Sequence, residues 1–158
     1  MKKLTISFFF ITTCFMYSQV SYLDYWKDLR SFDEHLNNAK ELYRFVNDEG
    51  YPELAYLEIL KAIKLNPESS EAHSIKGALN LIKGDHYTAM EDLNRSILLG
   101  SKDGCTYYYR AITRIELPSY HKDNTTSKYC ADLITANALG GCSRWSGGLY
   151  SHLEGNCK

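Results

Sequence analysis

The sequence has little net charge, no apolar run long enough to cross a bilayer and no closely spaced cysteine pair, and each absence removes a class of function. Lys and Arg total 18 against 19 Asp and Glu, so no strong field draws the chain to nucleic acid or anionic lipid. The apolar stretch from Leu4 to Tyr17 falls short of the roughly 20 residues a spanning helix needs, because Ser18, Gln19, Ser21 and Asp24 follow it. The last four cysteines are 25, 12 and 15 residues apart with no C-x-x-C. Four thiolates can hold zinc, but these intervals resemble no compact zinc knuckle. His35, His73, His86, His121 and His152 share no metal-ligand spacing. Gly140-Gly141 and Gly147-Gly148 follow no strand and lack the G-x-G-x-x-G or lysine-serine context of a phosphate loop. The chain is therefore read as non-enzymatic, with no cofactor and no metal. The one weak exception is His121 with Asp123, which would suit a small hydrolase or a weak metal site.

What is present begins at the N-terminus. Lys2 and Lys3 precede Phe8, Phe9, Phe10 and Ile11 in the apolar stretch, the form of a secretory signal peptide with cleavage near Gln19. The alternatives are an uncleaved anchor, a buried N-terminal helix, or acylation at Cys14, although Ile11-Thr12-Thr13 lacks the small residues a lipoprotein signal places there. Cleavage removes two lysines, no acid and Cys14, leaving Cys105, Cys130, Cys142 and Cys157. An even number of cysteines confined to the last third is expected to form two disulfides in an oxidising compartment. The expected location is periplasmic or secreted, with no integral membrane span after processing. Asn124-Thr125-Thr126 also matches a glycosylation sequon.

Strand signals are weak, while apolar residues recur every three or four positions from Leu36 onward, predicting an all-α fold. The chain also repeats itself. At an offset of 34, Gly50 falls on Gly84, Ala55 on Ala89, Glu58 on Asp92, Ile59 on Leu93, Ala62 on Ser96 and Leu65 on Leu99. The same offset carries His73 to Tyr107, Lys76 to Arg110 and Gly77 to Ala111. An offset of 40 then carries Asp92 to Asp132, Leu93 to Leu133, Ser96 to Ala136 and Gly100 to Gly140. A third copy has gained six residues, which fall in the polar segment 118–128, where a turn can lengthen without disturbing packed helices. Lys76 with Asp92, and Arg110 with Asp132, are then equivalent cation–carboxylate pairs that position neighbouring helices.

The run from His73 to Ser101, with Gly77, the Gly84-Asp85 turn, Ala89-x-x-x-Leu93 and Ser96, resembles a tetratricopeptide repeat. The first copy matches through Ala55, Ile59, Ala62 and Pro67, but Tyr43 stands where the glycine belongs. The resemblance implies an α-α superhelix of about three helix pairs at 36–69, 70–103 and 104–140. A lead-in at 20–35 and a disulfide-linked capping helix at 141–158 complete the mature chain. Such scaffolds bind proteins or extended peptides on a concave face formed by the first helix of each pair. In this register that face carries Lys40, Arg44 and Asn47, then Ser74, Ala78 and Leu81, then Tyr108, Ile112 and Ile115. The groove is expected to run from polar to apolar and to suit a peptide with an acidic and a hydrophobic end. In Tyr107-Tyr108-Tyr109, Tyr107 is expected in the core beside the equivalent His73, Tyr109 toward solvent or an adjoining helix, and Tyr108 in the groove as the chief anchor. Antiparallel packing of the last helices would bring Cys130 to Cys157, while Cys105 and Cys142, at the starts of parallel first helices of neighbouring units, would meet only with local closing. The function this implies is a scaffold or adaptor of the bacterial cell envelope. The alternative is an accessory or inhibitory subunit of an envelope enzyme or secretion complex.

Overall fold

Ser69, Asp85, Asp103 and Thr125 each stand immediately ahead of a helix, and in a computed structural model of the chain each side chain accepts a hydrogen bond from a backbone N–H of the following turn. These caps satisfy donors that the helix itself leaves unpaired. The structure describes residues 30–44, 51–118, 121, 123, 125–142 and 157. The expected signal peptide and Cys14, the lead-in up to residue 29, Asn47, Asn124 of the sequon, and residues 143–156 and 158 of the expected capping helix lie outside them. The chain divides after Ser31 into two units, the second of which runs from Phe32 onward.

Six helices follow one another: α1 (Phe32–Arg44), α2 (Tyr51–Leu65), α3 (Ser70–Ile82), α4 (His86–Leu98), α5 (Gly104–Glu116) and α6 (Thr126–Ala138), with no strand among the described residues. The fold is all-α. Helix α1 begins at Phe32 rather than at Leu36, because Asp33 and Glu34 supply the acidic first turn that a helix N-terminus favours. The inserted loop is also shorter than the expected 118–128, since Thr125 caps α6 and hands residues 126–128 to the helix.

The ends differ in cause. Gly84 and Gly100 adopt φ of 79° and 85°, which a side chain would disfavour. Around them Asp85 N–H donates to Asn80 O and Ser101 N–H to Ser96 O, at 2.9 and 3.1 Å, closing α3 and α4 in the same way. Helix α5 stops instead at Leu117, which turns extended before Pro118.

Helices pack as α1·α2, α3·α4 and α5·α6, and successive pairs join through α2·α3 and α4·α5. The first helices also meet one another, α1 with α3 and α3 with α5, whereas α2, α4 and α6 have no comparable mutual contact. Stacked pairs of this kind curve with α1, α3 and α5 on the inner side. The repeat-equivalent residues Ile59, Leu93 and Leu133 are buried between the layers, as are Ala62, Ser96 and Ala136. Small residues set the closest approaches. A Cβ at Gly77 would lie 2.6 Å from Leu93 Cγ, and one at Gly104 would lie 2.5 Å from Gly141 O. Ser96 keeps its hydroxyl in the core by donating to Ser70 O at 2.7 Å.

Two disulfides, Cys105–Cys142 and Cys130–Cys157, tie α5 and α6 to the chain beyond them. Cys105 lies in the first turn of α5 and Gly104 packs under Gly141, so the N-terminal end of α5 and the chain leaving α6 are fastened side by side. No described helix is long and apolar enough to cross a membrane.

Candidate binding groove

On the inner side, two depressions adjoin along α1, α3 and α5 and share Tyr43 and Tyr109. The first has a volume of about 320 Å³. Ala78, Leu81 and Ile82 from the end of α3 form one wall, and Tyr108, Tyr109 and Ile112 from α5 form the other. His86, the first residue of α4, and Glu116, the last of α5, are its polar residues besides the tyrosine hydroxyls. The second, of about 360 Å³, lies between Lys40 and Arg44 of α1, Glu71, Ser74 and Ile75 of α3, and Asp103 and Cys105 at the start of α5.

Seven of the nine residues expected on the concave face thus line these depressions: Lys40, Arg44 and Ser74 in the polar one, Ala78, Leu81, Tyr108 and Ile112 in the apolar one. Ile115 is half-buried and lines neither, and Asn47 lies outside the described residues. The lining does pass from polar to apolar, but along the helix axes, from the starts of α3 and α5 toward their ends, and not from unit to unit as expected. Lys40 is ion-paired with Glu71, and Arg44 with Glu41 at 3.0 Å. With Asp103 also in the lining, the polar end has no excess positive charge to attract an acidic peptide terminus. Ser74 is buried and shares a hydrogen bond with Thr106 at 2.7 Å, so its hydroxyl joins α3 to α5.

The tyrosine triplet is turned relative to the sequence reading. Tyr108, expected as a projecting anchor, is 1% exposed and forms wall rather than protrusion. Tyr109, expected toward solvent or an adjoining helix, is buried and lines both depressions. Tyr107, expected in the core, is half-buried, its ring beside the Arg110 guanidinium and its hydroxyl donating to Ser101 O at 3.4 Å. The equivalent His73 is likewise no packed core ring: its Nε2 lies 3.0 Å from Pro67 O and its Nδ1 3.5 Å from Asp92 Oδ1. Both side chains lie beside the charged pairs of their own units rather than in the apolar layer.

Those pairs form behind the groove. Lys76 donates to Asp92 at 2.9 Å, and Asn80 donates to the other carboxylate oxygen at 2.9 Å. One unit later Arg110 donates to Asp132 through Nε and Nη2, and also to Asn94 Oδ1. Arg114, which the sequence reading overlooked, donates a further bond to Asp132 at 2.8 Å. Its spacing of four from Arg110 on one helix was the available signal. In the first unit Leu42 takes the place of the cation, and Glu58 is instead met by His35 at 2.8 Å.

The inserted loop is held to this network. Asp123 meets Lys128 at 3.0 Å and Arg114 at 3.5 Å, and His121 stands edge-on to Tyr87 with ring centroids 5.6 Å apart. Burial pushes the Asp123 carboxyl up, but the Lys128 hydrogen bond and the charges of Lys128, Arg114 and His121 outweigh it and hold its pKa below the ordinary value. His121 Nδ1 accepts the Asp123 backbone N–H at 3.2 Å, so it cannot also donate to the Asp123 carboxylate 3.9 Å away. An acid–base pair needs that second bond. No group of three metal-ligating side chains gathers among the described residues. No protein-family model matches the chain, and no curated protein matches it.

Proposed function

We propose that this chain is an exported, non-enzymatic scaffold of the tetratricopeptide kind that binds another protein or an extended peptide in the bacterial cell envelope through the face formed by α1, α3 and α5. The observation that carries the reading is the continuity of the two depressions across three stacked first helices, from charged residues at Lys40 and Glu71 to the apolar walls at Leu81 and Ile112. A face that combines an apolar pocket with flanking polar groups is the usual form of a recognition surface. The two disulfides, together with the apolar N-terminal segment behind Lys2 and Lys3, support export.

Site-specific photocrosslinking in the native envelope tests this. A crosslinker at Leu81 or Ile112 should trap a defined partner, and one at Leu57 or Glu91 on outward-facing second helices should not. Equal trapping from both sides, or none from the inner side, would overturn the concave-face reading. Fractionation of the cells in parallel tests export, which retention of the intact N-terminus in the cytoplasm would overturn.

A further inference from the structure

We infer that the apolar depression receives one bulky aliphatic or aromatic side chain of an extended peptide, and that Glu116 at its rim selects a lysine or arginine next to that side chain. This rests on the reading of the inner face as a peptide groove and specifies which peptide it takes.

Size admits a bulky side chain together with the backbone that carries it. A volume of about 320 Å³ lies at the low end for ligand pockets, which run to roughly 1,000 Å³. The walls argue for an apolar one. Ala78, Leu81, Ile82 and Ile112 present only hydrocarbon, so a polar side chain entering between them would lose water without gaining hydrogen bonds. His86 closes one side of the depression.

Charge argues for the neighbouring cation. Glu116 is the one carboxylate in this lining, is exposed, and makes no ion pair among the described residues. It is also the last residue of α5, and Ile82 on the opposite wall is the last of α3. Both helices therefore direct the negative ends of their dipoles to the same side of the depression, which adds to the pull on a cation. At the polar end Lys40 and Arg44 already have carboxylate partners, so no excess positive charge competes for an acidic ligand. The ligand chemistry that complements the whole face is thus a hydrophobic residue beside a basic one.

The experiment uses the exported, disulfide-intact chain and three fluorescent synthetic peptides that differ only at one position: Ala-Ala-Leu-Lys-Ala-Ala, the same with Ala for Lys, and the same with Glu for Lys. Fluorescence polarisation at low salt should rank them Lys over Ala over Glu, each step about twofold to fivefold, as an exposed ion pair allows. Glu116→Gln should flatten the ranking and Glu116→Lys should invert it, both with unchanged melting temperature. A ranking that survives Glu116→Lys, or a flat ranking in the unaltered chain, overturns the inference. The groove reading itself is judged separately by Ile82→Ser, at a residue 41% exposed and tolerant of change. If binding is flat across peptides yet falls with Ile82→Ser, charge selection fails and the groove stands. If none of the three peptides binds, both fail.

Discussion

Arg110 grips Asp132 at two points, Nη2 to Oδ1 at 2.6 Å and Nε to Oδ2 at 2.9 Å, and the place it fills is the one Lys76 fills against Asp92 one unit earlier. The two carboxylates are almost fully buried and lie on second helices, while their cations come from first helices. A carboxylate in such a place costs several kcal/mol to desolvate unless it is fully bonded. Asp132 has two guanidiniums, so losing one partner differs from losing the acid. Arg110→Ala should cost about 1–3 kcal/mol because Arg114 still serves Asp132, whereas Asp132→Ala takes the shared carboxylate from buried Arg114 and half-buried Arg110 and should cost about 3–5 kcal/mol. Urea unfolding of both variants checks this, and equal losses would show that the network does not share its charge as described.

Gly77 and Leu93 occupy one volume between α3 and α4. A methyl group at Gly77 would meet Leu93 Cγ at 2.6 Å and the Leu93 backbone N at 3.2 Å. Gly77→Ala should therefore cost about 1–3 kcal/mol even though alanine favours helix. Leu93→Ala alone should cost about 2–5 kcal/mol through its cavity. The double variant should lose clearly less than the two together, since the new methyl group enters the space the leucine leaves. Strict additivity in a double-mutant cycle would contradict the contact.

Much of this was legible because repetition reports on packing. Ile59, Leu93 and Leu133 recur at equivalent places and are buried alike, and the Lys76–Asp92 and Arg110–Asp132 pairs follow from the same alignment. The groove residues were legible only to the level of the helix face. A helical register tells which side a residue is on but not how far the neighbouring helix encroaches, and α3 comes close enough to α5 to bury Tyr108 and Ser74. Tyr43 and Tyr109, which join the two depressions, were missed as groove residues. The signal at Tyr43 was its occupation of a position that is glycine in the next unit. The loop's attachment through Asp123 had no periodic signal at all, because an insertion has no equivalent elsewhere in the chain.

Burial of Tyr108 changes what its removal should do. As wall, it contributes packing, so Tyr108→Ala should destabilise the chain by about 3–5 kcal/mol, the range for a buried aromatic. Thermal or urea unfolding measures it. A variant with an unchanged midpoint but weaker partner capture would restore the projecting-anchor picture and contradict this geometry.

The disulfides should act locally. Cys105–Cys142 and Cys130–Cys157 span 37 and 27 residues, and loop-closure entropy gives each about 3–4 kcal/mol. Because both bonds lie at the α5–α6 end, replacing Cys105 and Cys142 together by serine should raise amide exchange in α5 and α6 while leaving the α3–α4 pair protected. Peptide mapping without reduction should recover these two pairs. Linkage of Cys130 to Cys142 would refute the arrangement.

Asp123 supplies a prediction about pH with a definite sign. Its folded pKa lies below the ordinary value despite burial, because Lys128, Arg114 and His121 favour the carboxylate. A group depressed in this way contributes stability that is fully present above its unfolded pKa and is lost as pH falls through the lower folded one. The contacts of Asp123 with Arg114 and Lys128 should therefore persist from neutral pH down to about 4 and release only in more acid solution. Tyr87 and His121 report on the loop, since their rings are in contact. NMR should show the ring-current shift between the Tyr87 and His121 rings retained from pH 7 to 5. Asp123→Asn should weaken that contact already at pH 7, because an amide cannot neutralise Arg114 and Lys128. If the asparagine variant keeps the shift at pH 7, the loop is held by the Tyr87–His121 contact alone and the charge cluster does not anchor it.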